Sequence, residues 1–136
     1  MPALSACFDT SALIDLLDAE ADRHLAVLRE FQKYKVSGMV FITDVIFSEA
    51  SVNMPSMEAL QTALNELGIA RIHASDEALY LAGQVYAAYK RRGGRKDGVQ
   101  PDFMIGAIAQ VEGLALVTCN ERDFVNRFSD LEIVSL

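Results

Sequence analysis

The sequence predicts an α/β fold: an open, mostly parallel central sheet flanked by helices on both faces. Three observations carry this. Short apolar runs alternate with longer amphipathic runs along the whole chain. No hairpin signal joins successive apolar runs, so crossover connections are expected. No repeat, low-complexity stretch or linker divides the 136 residues, which suit a single domain, 1–136.

The elements follow in order. Ala3 to Phe8 is a short apolar segment that ends at Asp9, and it reads as a strand. Ser11 to Asp18 carries Leu13, Leu16 and Leu17 at helical spacing, and Asp22 to Lys35 sets Leu25, Leu28 and Phe31 on one face. Gly38 to Ile42 is rich in strand formers; Thr43 and Asp44 are good caps for a helix reaching about Val52. A helix after Pro55 runs to Leu67 and stops at Gly68, followed by a short strand at Ile69 to His73 and a long helix from Ser75 to Arg92. Gly93 to Gln100 is the one polar, glycine-bearing loop. Pro101 opens a helix to about Glu112, Ala115 to Val117 is a strand, Glu121 to Phe128 a last helix, and Leu131 to Val134 a closing strand.

Composition removes several function classes. With 51% hydrophobic residues, 8 Gly, 3 Pro and a mean hydropathy of +0.19, the chain is neither collagen-like nor disordered. Its longest apolar stretches fall far below the roughly 18 residues that a membrane span requires. Asp9 and Asp15 interrupt the first residues before a signal-peptide core forms, so a cytoplasmic location is expected. Cys7 and Cys119 lie in apolar surroundings without metal or redox spacing and read as buried filler; His24 and His73 offer no ligand spacing either.

Four acidic residues stand out. Asp9 follows the first strand, Glu49 lies within the helix after Ile42, Asp102 opens the helix at Pro101, and Asp123 follows the strand ending in TCN. In open parallel sheets ligands bind beyond the carboxyl ends of the strands, where such residues converge. Carboxylates held together repel, and a hard divalent cation, Mg²⁺ or Mn²⁺, relieves the repulsion while leaving positions for a phosphate. Asp9 can equally cap the next helix, Asp102 can serve only the helix dipole, and Glu121 competes with Asp123 for the last position.

Net charge is −7, from 12 basic and 19 acidic residues. It is unevenly spread: Lys90, Arg91, Arg92, Arg95 and Lys96 lie within seven positions, leaving 7 basic against 19 acidic residues elsewhere. One basic patch on an acidic chain can draw a phosphate backbone to one place. The same run also suits the last turn of a helix stopped at Gly93, and the two readings are compatible.

FDTSALIDLL (Phe8 to Leu17), ITDVIFSEAS (Ile42 to Ser51), PDFMIGAIA (Pro101 to Ala109) and LVTCNERDF (Leu116 to Phe124), in this order, resemble the PIN-domain ribonucleases, and most of all the VapC-type toxins of toxin–antitoxin pairs. The four acids are separated by 40, 53 and 21 residues, which suits one small domain of that kind. The resemblance spans nearly the whole chain. It implies a PIN-like fold and a Mg²⁺- or Mn²⁺-dependent ribonuclease whose metal-binding quartet is Asp9, Glu49, Asp102 and Asp123. Ser11, Thr118 and Asn120 match supporting positions. Asp9, Asp102 and Asp123 would hold one ion, with Glu49 holding a second or orienting the attacking water. Lys90, Arg91, Arg92, Arg95 and Lys96 would bind RNA. The implied partners are RNA, a cognate antitoxin whose basic side chain enters the acidic groove, and a second copy in a homodimer.

Other early-Asp families fit less well. A haloacid-dehalogenase-like phosphotransferase needs an Asp where Ser11 stands, and a receiver domain needs a Lys after the strand ending at Val117. The surviving alternative is a PIN-like binding or scaffold protein that keeps the acidic pocket for a partner.

Overall fold

The computed structural model describes residues 3–136. Five parallel strands, β1 (Ala6–Phe8), β2 (Val40–Thr43), β3 (Ala70–Ile72), β4 (Ala115–Thr118) and β5 (Ile133–Ser135), form one sheet in the order β3-β2-β1-β4-β5. The sheet is entirely parallel, more uniform than the mostly parallel arrangement expected. Six helices flank it: α1 (Thr10–Leu17), α2 (His24–Ser37), α3 (Asp44–Ser51), α4 (Met57–Leu67), α5 (Asp76–Arg91) and α6 (Pro101–Val111). Among the described residues no helix is long and apolar enough to cross a membrane.

The sequence explains where these helices start. Asp9, Thr43, Ser56 and Ser75 each accept a hydrogen bond from the backbone N–H three residues on, satisfying donors that a helix N-terminus leaves open. Gln100 caps α6 without its side chain, and Pro101 takes the first helical position, where its missing N–H costs nothing.

β1 and β4 are buried throughout, because a parallel strand in mid-sheet is covered on both faces. The main core gathers Phe8, Leu13, Phe31, Ile42, Ile46, Leu60, Leu116 and Phe124; Phe8 and Phe31 meet edge to face with centroids 6.1 Å apart. A second cluster, Ala82, Val85, Phe103 and Ala107, joins α5 to α6.

Most boundaries fall within two residues of expectation, and two differ by more. The first strand is only Ala6–Phe8 rather than Ala3 to Phe8. The helix expected over Glu121 to Phe128 is a 3₁₀ turn at Glu121–Asp123 followed by turns. Asn126 there adopts φ 65°, a left-handed conformation that no α-helix continues through. Phe124 and Phe128 still anchor the segment: Phe124 is buried within the main core, while Phe128 is partly buried where the two clusters meet and lies against Gly106 of α6.

That last contact sets the seat of α6. A Cβ on Gly106 would come within 2.3 Å of the Phe128 ring. Alanine gains about 1 kcal/mol of helix propensity over glycine, whereas overpacking a filled site costs about 1–3 kcal/mol. Gly106→Ala is therefore expected to destabilise the protein by on the order of 1 kcal/mol, read as a lowered Tm in thermal unfolding; an increase would show that Phe128 moves aside freely.

Candidate active site

The strand order places a topological switch between β1 and β4: the chain leaves β1 for β2 on one side, while β4 lies on the other. Beyond the carboxyl ends of such a pair the connecting segments diverge and open a crevice. Phe8 lies beside Val117 in the register, so the next residues, Asp9 and Thr118, sit together at this edge.

Asp9 is 5% exposed and firmly held. One carboxylate oxygen accepts from Ser11 Oγ at 2.7 Å and from the Ala12 N–H at 2.9 Å; the other accepts from Thr118 Oγ1 at 2.5 Å. Thr118, fully buried, in turn accepts the Asn120 N–H at 2.9 Å, and Ser11 Oγ accepts the Cys119 N–H at 3.1 Å. Asp9 thus caps α1 and faces the crevice at once.

The other acids arrive from separate elements. Glu49 projects from α3 and accepts a short hydrogen bond from Thr10 Oγ1. Asp102 stands in the first turn of α6, and Asp123 ends the 3₁₀ turn after β4. All four line one cavity of about 290 Å³ with Thr10, Ser11 and Asn120. Glu121 is exposed and does not line it.

Their proximity is visible in their electrostatics. Burial pushes the Asp9 carboxyl above its usual range; its hydrogen bonds oppose the shift and the Asp102 charge adds to it. Burial likewise raises Asp102, reinforced by Asp123 and Glu49 and opposed by Lys96. The site therefore concentrates negative charge that the fold does not fully neutralise.

Among the described residues no three acidic, cysteine or histidine side chains converge into a complete metal cage. The donor set is all hard oxygen, on one cavity and with unrelieved repulsion, which fits a hydrated Mg²⁺ or Mn²⁺ that keeps several waters.

The basic run divides. Lys96 Nζ lies 3.4 Å from Asp102 Oδ2 and 5.7 Å from the Phe103 ring centroid, so it belongs to this site. Lys90, Arg91, Arg92 and Arg95 do not line the cavity; Lys90 and Arg91 form the last turn of α5, as the helix-end reading expects. Thr10 was not singled out by sequence reasoning, although a hydroxyl directly after Asp9 was the available signal. The reading of both cysteines as buried filler holds for Cys7 alone. Cys119 is half-buried, its thiol faces Asp15 Oδ2 at 3.5 Å, and burial with that carboxylate pushes it up to about 11. His24 Nδ1 contacts the Asp15 carbonyl, and exposed His73 pairs with Asp44.

Comparison with known proteins agrees with this fold. The PIN-domain family model matches residues 6–129. No match was found among curated proteins. Similar solved structures include VapBC2 from Rickettsia felis bound to a promoter DNA fragment, with TM-score 0.72, 18% identity, and 97% of this chain and 98% of that one covered. DNA-bound VapBC from Salmonella typhimurium gives 0.71, 21%, 99% and 98%. VapC20 from Mycobacterium tuberculosis, described as a Sarcin-Ricin loop cleaving toxin, gives 0.62, 16%, 93% and 98%. With a family model covering nearly the whole chain and four acids on one crevice at the switch point of an all-parallel sheet, the chain belongs to the PIN-domain family.

Proposed function

We propose that this protein is a divalent-metal-dependent ribonuclease that acts as the toxin of a toxin–antitoxin pair. The observation that carries it is the convergence of Asp9, Glu49, Asp102 and Asp123 on one cavity. The similarity to VapBC structures, to a toxin–antitoxin complex from Klebsiella pneumoniae and to a Sarcin-Ricin loop cleaving toxin from Mycobacterium tuberculosis supports the same reading.

Asp9, Asp102 and Asp123 are assigned to the ion, with Glu49 beside them. A bound Mg²⁺ or Mn²⁺ supplies Lewis acidity that makes a water nucleophilic and stabilises the departing oxygen of the phosphodiester. The chain's own residues do the positioning. Ser11, Ala12 and Thr118 fix both oxygens of Asp9, so its orientation is set before substrate arrives. Thr10 fixes Glu49, which leaves that carboxylate's other oxygen to orient a water. Asn120 lines the cavity as a neutral hydrogen-bonding group. Lys96 compensates part of the Asp102 charge, and with Lys90, Arg91, Arg92 and Arg95 it draws the RNA backbone toward an acidic surface.

An antitoxin with a basic side chain would complement this crevice through charge-assisted hydrogen bonds. A homodimer is the assembly this reading includes, and exposed Val52, Met57 and Tyr80 offer apolar surface for it.

Purified, antitoxin-free protein is expected to cleave a mixed RNA pool with Mn²⁺ or Mg²⁺, to stop when a chelator is added, and to lose activity at least ~100-fold in Asp9→Asn. Intact RNA after incubation with folded, metal-supplied protein would point instead to the binding or scaffold role.

A further inference from the structure

A second cavity, of about 420 Å³, has the opposite charge to the acidic one. Arg92, from the end of α5, meets Arg122 and Arg127, from the segment after β4, around it; among the described residues no carboxylate lines it. None of the three arginines forms an ion pair among the described residues. Three such guanidiniums converging on a chain of net charge −7 repel one another unless an anion joins them.

Arg127 sharpens the point. Its guanidinium lies 5.0 Å from the Tyr89 ring centroid and 5.2 Å from that of Phe103, so two aromatic faces hold it in place. Its Nη1 is buried without a hydrogen-bond partner, the one side-chain atom among the described residues in that condition. A buried charged donor left unmatched is costly; Arg127 also lines this cavity, where a planar guanidinium would gain charge-assisted hydrogen bonds on meeting phosphate.

The backbone makes room for such a ligand. A helix C-terminus ordinarily disfavours anions, but the Ala88, Tyr89 and Lys90 carbonyls of the last α5 turn already accept from the Arg92, Gly93 and Gly94 N–H groups. Gly93 has φ +89° and open space where a Cβ would stand, while Gly94 lies so close to the Tyr89 ring that any side chain would collide with it.

The two cavities are lined by residues adjacent in the chain. Arg122 lines the basic one and its neighbour Asp123 the acidic one; Phe103, next to Asp102, carries Lys96 and Arg127 on its ring. We propose that the Arg92, Arg122 and Arg127 cavity binds a backbone phosphate of the RNA strand flanking the bond cleaved at the acidic site, an inference that rests on the ribonuclease reading above.

The test separates the two. With chelator present to prevent cleavage, binding of a fluorescein-labelled single-stranded RNA is measured against salt for wild type, Arg122→Gln, Arg92→Gln/Arg122→Gln and Lys33→Gln, the last a remote removal of one positive charge. In parallel, inorganic phosphate is titrated into ¹⁵N-labelled protein. Expected are shifts of the Gly93, Gly94 and Arg127 signals and an affinity loss of about 3–10-fold for Arg122→Gln, larger in the double variant. The salt slope should fall by about 0.7 for each phosphate no longer neutralised, with Lys33→Gln unchanged. Equal losses in Lys33→Gln, or unmoved signals, would overturn the site. Phosphate shifts without any change in RNA affinity would overturn the RNA assignment and point to an acidic protein segment. Absent metal-dependent cleavage with the binding pattern intact would defeat the nuclease reading and leave the phosphate site standing.

Discussion

Asp102→Asn is expected to abolish RNA cleavage, by at least ~1000-fold, while leaving the metal-free protein slightly more stable than wild type. The two effects share one cause. Asp102 is fixed in the first turn of α6, where burial, Asp123 and Glu49 all disfavour its charge and only Lys96 favours it. Asparagine keeps the shape and removes the repulsion. The losses are small: a half-exposed ion pair at 3.4 Å contributes about 0–1 kcal/mol, and a negative charge at a helix start about 0.3–1 kcal/mol. A rise in Tm on the order of 2 °C is expected under chelation. Adding Mn²⁺ or Mg²⁺ should reverse the order, because a ligand at 100 times its Kd stabilises the folded state by about 2.7 kcal/mol, and only wild type gains this fully. Thermal unfolding with and without metal checks both statements. A lower Tm for the metal-free variant would mean that Lys96 already neutralises the site and that repulsion is not what the cation relieves.

The fold and the four acids were legible because each depends on local pattern. Apolar runs ending in Asp9 or Thr118, caps at Thr43 and Ser75, and Pro101 ahead of Asp102 mark element ends, and in a parallel sheet the element ends are where a site forms. What escaped depends on contacts between distant segments. Lys96 was legible as part of a basic run, but its placement against Asp102 follows from how the 93–100 loop closes over Phe103. Arg122 and Arg127 carry no local signal, since their meeting with Arg92 requires the segment after β4 to pack beside the end of α5. The Glu121 to Phe128 helix failed for a related reason. Phe124 and Phe128 have helical spacing, but Phe124 is buried within the main core while Phe128 packs where the two clusters meet, against Gly106, and the left-handed Asn126 lets the backbone turn between them.

Thr118→Val is expected to cost the metal-free protein about 2 kcal/mol of stability at neutral pH, a cost that shrinks on acidification. Valine has nearly the shape of threonine, so at this fully buried position the effect comes chiefly from the lost hydroxyl. That hydroxyl donates to Asp9 Oδ2 and accepts the Asn120 N–H. Asn120 is exposed and water replaces its missing acceptor, whereas Asp9 is buried and nothing replaces its missing donor. A hydrogen bond to a charged group contributes about 1.5–3 kcal/mol, which sets the magnitude. The pH dependence follows from the sign of the shift. The Asp9 carboxyl already lies above its ordinary range, so the folded state holds that proton more tightly than the unfolded chain, and stability at this group falls as pH rises through the folded value. Removing the Thr118 bond, one of the contributions holding that value down, raises it further. The destabilisation is therefore greatest above the folded value and shrinks toward acid, where Asp9 is protonated in both proteins. Urea unfolding of wild type and variant across pH reads this directly: a stability difference independent of pH would assign Thr118 to packing alone, while a difference that closes on acidification assigns it to holding the Asp9 charge in the crevice.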